Sequence, residues 1–294
     1  MSLEKRNCQI CQNDSFILVH TCKDYSVSHE YFNIVRCTNC NFLYTNPIPD
    51  ESTIGNFYKT SNYISHSNTS NGLINKLYKI IRNYTLTKKF KLITLVSNKK
   101  VGRLLDVGCG TGHFLNICRK KGWGVDGVEP DINAKNLAEI ATKKLILSSI
   151  NEINNEQKYD VITLWHVLEH VHSLNDTIIK LGNVLAKSGV VIIAVPNHES
   201  LDALIYKQNW AAYDVPRHLY HFSKQTLEIL MKKHGFSLSG IKPMFFDSFY
   251  VSMISENNLN KNKFLGLFNA FINGLLSNMS KKNNHSSLIY IFNK

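Results

Sequence analysis

Leu104-Leu105-Asp106-Val107-Gly108-Cys109-Gly110-Thr111-Gly112 is the stretch from which the fold can be read. Its first half is an apolar run of strand length, so residues 103–107 are predicted to form a buried strand. Three glycines follow at alternate positions, and without Cβ atoms the backbone can turn sharply and approach a ligand closely. Residues 112–121 then read as a helix whose first N–H groups point into the same space. The spacing is G-x-G-x-G, not the G-x-G-x-x-G of dinucleotide sites. Asp106 precedes the first glycine, where its charge would repel a pyrophosphate and suit an ammonium group. A second strand, 124–129, ends in Glu129-Pro130-Asp131, with a carboxylate placed to accept two ribose hydroxyls.

Downstream, strand and helix signals alternate. A helix is expected over 133–143 and a short third strand over 145–147. Strands four and five, 159–165 and 190–195, flank a helix at 175–187. A helix at 223–233 and strands at 238–246 and 287–292 complete the chain. Such alternation predicts an α/β fold, a parallel sheet covered by helices on both faces.

Three motifs in order, LLDVGCGTGHFL, GVEPD and YDVITLWHVLEHV, resemble the class I S-adenosylmethionine-dependent methyltransferases, especially the small-molecule group. The resemblance covers about two thirds of the chain. It implies a Rossmann-like seven-stranded sheet of order 3-2-1-4-5-7-6, its antiparallel seventh strand supplied by residues 288–292. It implies S-adenosylmethionine as cofactor, held by Asp106, Gly108, Cys109, Gly110, Gly112, Glu129 and Pro130. The methionine part is then expected near Trp165 and His166, and the adenine near Ser149 and Ile150. The acidic residue often found after the third strand is absent from Leu147-Ser148-Ser149-Ile150.

Methyl transfer from a sulfonium is an in-line displacement, so the protein must position the acceptor and remove its proton. Histidine suits that task near neutral pH. One histidine group, His166 to His172, follows the fourth strand, where open α/β sheets place their ligand crevice. The other lies in 210–222, Trp-Ala-Ala-Tyr-Asp-Val-Pro-Arg-His-Leu-Tyr-His-Phe, a segment dense in polar and aromatic side chains and expected as a loop. A similar stretch recurs in zinc-ribbon-bearing members of the resembled group. His218 or His221 is the expected general base, with Asp214 orienting an imidazole and Arg217 meeting an anionic group of the acceptor. The rival reading concerns Glu169-His170, since a similar pair in quinone-pathway O-methyltransferases helps to hold a divalent metal.

Cys8-x-x-Cys11 and Cys37-x-x-Cys40 are two knuckles separated by strand-like runs at 15–20 and 31–36. This pattern resembles a zinc ribbon, with four thiolates completing a tetrahedral structural Zn²⁺ site and Cys22 a buried thiol outside it. The expected organisation is a zinc ribbon at 1–48, a helical linker or cap at 49–100, and a class I methyltransferase domain at 101–294. Within the linker a polar stretch at 60–72 precedes an amphipathic helix carrying Leu73, Leu77, Ile80, Ile81 and Tyr84, then a second helix at 86–96, their lysines expected in solvent.

The net charge of +12 is uneven: residues 104–258 hold 15 basic and 16 acidic side chains, 49–103 hold 10 and 2, and 259–294 hold 5 and none. A near-neutral body argues against a nucleic-acid track. The chain has no apolar leader and no apolar run long enough to span a membrane, so a cytoplasmic location is expected. Residues 264–282 carry an apolar stripe, Phe264, Leu267, Phe268, Phe271, Ile272, Leu275 and Met279, between lysines. That stripe suits either packing over an acceptor pocket or peripheral contact with an inner membrane surface. Three function classes stand: methylation of a small or lipid-linked acceptor such as a surface-polysaccharide sugar, an RNA methyltransferase using the ribbon and basic segment, and a non-catalytic cofactor-binding scaffold.

Overall fold

The computed structural model describes residues 3–58, 73–259, 263–279 and 284–294. In chain order the strands and helices are β1 (Leu3–Glu4), β2 (Phe16–Lys23), β3 (Tyr31–Cys37), β4 (Leu43–Thr45), β5 (Ile48–Pro49), α1 (Leu73–Ser97), β6 (Arg103–Val107), α2 (His113–Lys120), β7 (Gly124–Val128), α3 (Ile132–Thr142), β8 (Tyr159–Trp165), α4 (Leu174–Val184), β9 (Leu185–Pro196), α5 (Leu201–Tyr206), β10 (Tyr220–His221), α6 (Lys224–Lys233), β11 (Ser237–Pro243), α7 (Asp247–Asn258), α8 (Lys263–Met279) and β12 (Ser287–Asn293). The expected polar stretch 60–72 lies outside the described residues, as do Lys261, Lys281 and Lys282 and the side chains of Leu73, Leu77, Ile80, Phe264, Leu267 and Met279.

A mostly parallel sheet of six strands, in the order β11-β12-β9-β8-β6-β7, forms the scaffold. Strand β6 pairs in parallel with β7 and β8, Leu105 lying opposite both Asp126 and Ile162. Leu104, Leu105, Val161, Ile162 and Leu164 are fully buried, as expected of apolar strands covered on both faces. The expectation of seven strands is corrected: residues 145–147 make one parallel bridge, Leu147 to Val128. Leu145 is exposed while Ile146 is buried, so the run has one core residue and extends no further as a strand. The two helices expected at 73–84 and 86–96 form the single helix α1, whose 25 residues contain neither glycine nor proline to break it.

The chain clusters into two compact units. One comprises Met1–Tyr63, His166–Asn175 and Ala194–Tyr290; the other comprises Ile64–Trp165, Asp176–Ile193 and Ile291–Lys294. The sequence boundaries at 48 and 100 do not coincide with them. In the first unit, β2, β3 and β4 form an antiparallel meander whose free edge is taken by β10, Tyr220 opposite Tyr44 and His221 opposite Leu43. The segment 210–222, expected as a loop, thus supplies a strand. Its apolar side chains Trp210, Tyr213 and Val215 share a core with Cys22, Phe32, Ile34 and Leu43. Helices α7 and α8 pack closely, with the Phe249 and Phe271 ring centres 5.8 Å apart. Among the described residues no helix is long and apolar enough to cross a membrane.

In the second unit the glycine loop has Gly108, Gly110 and Gly112 at φ of 70°, 54° and 72°. Gly112 also brings α2 against α3, since a Cβ there would meet the Ala138 Cα and Cβ at 2.9 Å. Gly112→Ala therefore combines left-handed backbone strain with a clash against a buried helix. It should lower stability by about 2 kcal/mol, measured by denaturant unfolding.

Candidate active site

The carboxylate that ends β7 is held by the loop it serves. Glu129 Oε2 accepts the Gly110 N–H at 2.8 Å, and its Oε1 accepts the Asp131 N–H at 3.0 Å. Asp131 in turn caps α3 by accepting the Ala134 N–H at 2.8 Å, which fixes the exposed Pro130 between the two acids. Asp106 is buried, and Thr163 donates its hydroxyl to Asp106 Oδ1 at 2.6 Å. Burial pushes the Asp106 carboxyl up to about 7, opposed by Thr163 and by the charge of Lys89. Lys89 of α1 lies 4.2 Å from the Trp165 ring centre, and Phe114 meets the same ring edge-on at 5.8 Å. A cationic group is thus already drawn to Asp106 and Trp165. The expectation that lysines of 73–96 point to solvent fails at Lys89. Cys109 is buried beside Gly127, where a Cβ would meet its Sγ at 3.0 Å. Ser149 caps the short helical turn Ile150–Glu152 through the Asn151 N–H, and Ile150 is half-buried.

The other unit gathers Glu169, His170 and His218, each offering one ligand atom within 4.8 Å of the others. Their tautomers follow from their partners. His218 Nδ1 lies 2.9 Å from the Ala212 carbonyl, which can only accept, so Nδ1 carries the proton and Nε2 the lone pair. His170 Nδ1 likewise faces the Arg217 carbonyl at 3.1 Å and the Tyr58 hydroxyl at 2.9 Å, leaving its own Nε2 as an acceptor. Burial and the neighbouring His218 lower His170 to about 4, so it is neutral. Glu169 is fully buried, and neither oxygen has a hydrogen bond among the described residues. The nearest charge is His166, whose Nδ1 lies 3.3 Å from Glu169 Oε1 and whose Nε2 lies 3.0 Å from Asp247 Oδ2. Burial disfavours charge on His166, but the two acids outweigh it and raise it to about 10.

The remaining expected residues are placed differently. Arg217 is buried and spent on the protein: it pairs with both oxygens of Asp214, donates to the Phe57 carbonyl at 3.0 Å and to Ser26 at 3.0 Å. Asp214 thus orients Arg217, and its Oδ2 lies 3.9 Å from His218 Nε2. Thr45 donates its one hydroxyl proton to the His218 carbonyl at 2.7 Å, so it accepts from His221 Nε2 at 3.1 Å. His221 is buried edge-on to Tyr213, and burial holds it neutral, well below its usual range.

The four knuckle thiols also meet in this unit, Cys8 Sγ 3.4 Å from Cys40 Sγ and Cys11 Sγ 3.5 Å from Cys37 Sγ. Tetrahedral Zn–S bonds of about 2.3 Å separate sulfurs by about 3.8 Å, so the set fits a zinc ion after small adjustment.

A family model described as a methyltransferase domain matches residues 78–239, more than half of the chain. The chain belongs to this methyltransferase family. Among curated relatives, the ubiquinone biosynthesis O-methyltransferase of Rickettsia bellii (strain OSU 85-389) is 26% identical over 165 residues, covering 52% of this chain and 66% of that protein. That of Rickettsia akari (strain Hartford) is 28% identical over 156 residues, covering 50% and 61%. The chain thus spans just under two thirds of the length of these relatives. Among solved structures, magnesium protoporphyrin IX methyltransferase from Synechocystis PCC 6803 with bound SAH superimposes with a TM-score of 0.54 at 12% identity, covering 83% of this chain and 99% of that one. A SAM-dependent methyltransferase from Archaeoglobus fulgidus gives 0.50 at 21% identity, covering 72% and 94%. These likenesses show the Rossmann-like methyltransferase fold.

Lys89, Thr163, Tyr58 and Asp247 contact the expected residues Trp165, Asp106, His170 and His166, and none of the four is expected from the sequence. Each stands in an unremarkable helix, strand or turn, and only the fold brings it to a motif. Asp106 generates a pH dependence. Below about pH 7 its carboxyl is protonated and loses attraction for an ammonium group. S-adenosylmethionine affinity should therefore fall as pH drops through about 7, up to tenfold per unit, in calorimetric titrations. Asp106→Asn should bind weakly at every pH and abolish the slope.

Proposed function

We propose that the chain transfers the methyl group of S-adenosylmethionine to an oxygen of a small or lipid-linked acceptor, with His218 as general base. Support for the cofactor comes from the family and from Glu129 and Asp106, held as a ribose and an ammonium group would require. The six-stranded sheet is read as the family's seven-stranded order, with 145–147 a third strand reduced to one bridge. Support for an oxygen acceptor comes from relatives named as O-methyltransferases, which favour this class over a polysaccharide sugar.

The observation that carries the catalytic reading is the tautomer of His218. Its Nδ1–H is committed to a backbone carbonyl, which leaves Nε2 with a lone pair inside a buried polar cluster. In the step, the acceptor oxygen attacks the sulfonium methyl carbon and the carbon–sulfur bond breaks. The sulfur keeps the electron pair as S-adenosylhomocysteine, and the hydroxyl proton passes to His218 Nε2. His218→Gln should lower kcat about a hundredfold or more with cofactor affinity unchanged. His221→Phe should reduce stability more than kcat. Full activity in His218→Gln removes the histidine from the mechanism.

A second reading rests on Glu169. A fully buried carboxylate without a hydrogen bond, beside two imidazoles whose Nδ1 atoms are anchored on carbonyls, is the donor set and outer arrangement of a divalent transition-metal site. When bound, such an ion would polarise the acceptor hydroxyl. Activity lost in a weak chelator that leaves the cysteine-bound zinc in place, and restored by Mn²⁺, selects this reading, and activity indifferent to that chelator selects the base.

We also propose that Cys8, Cys11, Cys37 and Cys40 hold a structural Zn²⁺. Elemental analysis should find about one zinc per chain from this site. Cys37→Ser should lower the melting temperature by on the order of 5 °C, because the meander loses its clasp.

A further inference from the structure

We infer that helices α7 and α8 together form a surface that docks on an anionic lipid bilayer. On the first helix and its cap, Phe246, Tyr250 and Met253 recur at helical spacing and are exposed, Tyr250 by 60%. On the second, Phe268, Phe271 and Leu275 do the same, Phe268 by 65%. The two stripes lie side by side, since the Phe249 ring packs against the Phe271 ring, and a Cβ at Gly274 would fall 2.6 Å from Phe249 Cδ1. Meanwhile Ser248, Ser252, Ser255 and Glu256 are buried. The buried positions of the first helix are thus mostly serines, with Val251 packed on the core, while its larger side chains Tyr250 and Met253 face outward.

Charge indicates what covers it. Residues 259–294 contain five lysines and no acid, and Lys261 and Lys263 stand at one end of the second helix with Lys281 and Lys282 after the other. Cations at both ends of an apolar stripe match a helix lying in the plane of a membrane, its apolar face among acyl chains and its lysines at anionic head groups. A second copy of the chain is a poorer occupant, because pairing these faces brings together the five lysines of 259–294 against only Asp247 and the buried Glu256 of the first helix. Among the described residues no helix crosses a membrane, so the contact is peripheral. It deepens the proposed reaction by naming the acceptor class as lipid-embedded, and rests on that reading only for this last step.

The test is sedimentation of the full chain with phosphatidylcholine vesicles, with and without phosphatidylglycerol, in the absence of cofactor. Binding should require phosphatidylglycerol and fade with added salt. The double variants Phe268→Ser/Phe271→Ser and Lys281→Glu/Lys282→Glu should each weaken it by about tenfold or more. Both should keep native cofactor affinity in calorimetry. If the phenylalanine variant does not fold, the lysine variant carries the comparison. No sedimentation with phosphatidylglycerol vesicles, or equal sedimentation of native and variant chains, overturns the inference. So does a concentration-dependent dimer in ultracentrifugation that the phenylalanine variant abolishes. Vesicle binding can fail while a soluble acceptor is still methylated, and methylation can fail while vesicle binding persists.

Discussion

Both backbone groups of Leu219 are committed to different parts of the chain. Its N–H donates to the Glu169 carbonyl at 2.8 Å, and its carbonyl accepts the Thr45 N–H at 3.0 Å. One peptide thus ties the turn after β8 to the last strand of the cysteine-bearing meander. On either side of it, His218 and His221 are set by the same lattice: Thr45 bridges the His218 carbonyl and His221 Nε2. A buried backbone group left unpaired costs as much as a lost hydrogen bond, so neither element can shift without the other. The position of His218 against Glu169 and His170 follows from this pairing more than from contacts of its own side chain.

That constraint also accounts for much of the composition of 210–222. Its density in aromatic, acidic and basic residues reads in the sequence as the mark of a site. Most of it is packing: Tyr220 stacks on Phe42 at 5.8 Å, Trp210 and Tyr213 fill the shared core, and Arg217 is neutralised by Asp214. A segment that must add a strand to one layer and seal a second needs such side chains for burial alone. Only His218 leaves a lone pair unspent.

What was legible obeyed local rules. The glycine loop and Glu129 announce themselves because backbone conformation and a carboxylate at a strand end require those residue types at that spacing. The paired cysteines are legible for the same reason. The third strand was overread, since a three-residue apolar run with one core side chain cannot sustain pairing. Helix α7 left no apolar periodicity to find, because its buried positions are Ser248, Ser252, Ser255 and Glu256. Lys89 had no signal at all; it follows the exposed Lys88 in a lysine-rich run, and its meeting with Trp165 depends on how an entire helix docks.

The buried charges follow a common logic. Desolvating a carboxylate is expensive, and a structure tolerates it only where partners return most of the cost. Asp214 has Arg217, and burial is outweighed so that its carboxyl stays below the usual range. Glu129 has two backbone N–H groups. Asp106 has one hydroxyl and a distant lysine, and burial pushes its carboxyl upward. Glu169 has the His166 cation and, among the described residues, no hydrogen bond, although it is the most deeply buried of the four. Carboxylates that serve the fold are satisfied by the fold. Asp106 keeps a cost that an ammonium group beside it would relieve, whereas for Glu169 the His166 cation outweighs burial and holds the carboxyl below the usual range.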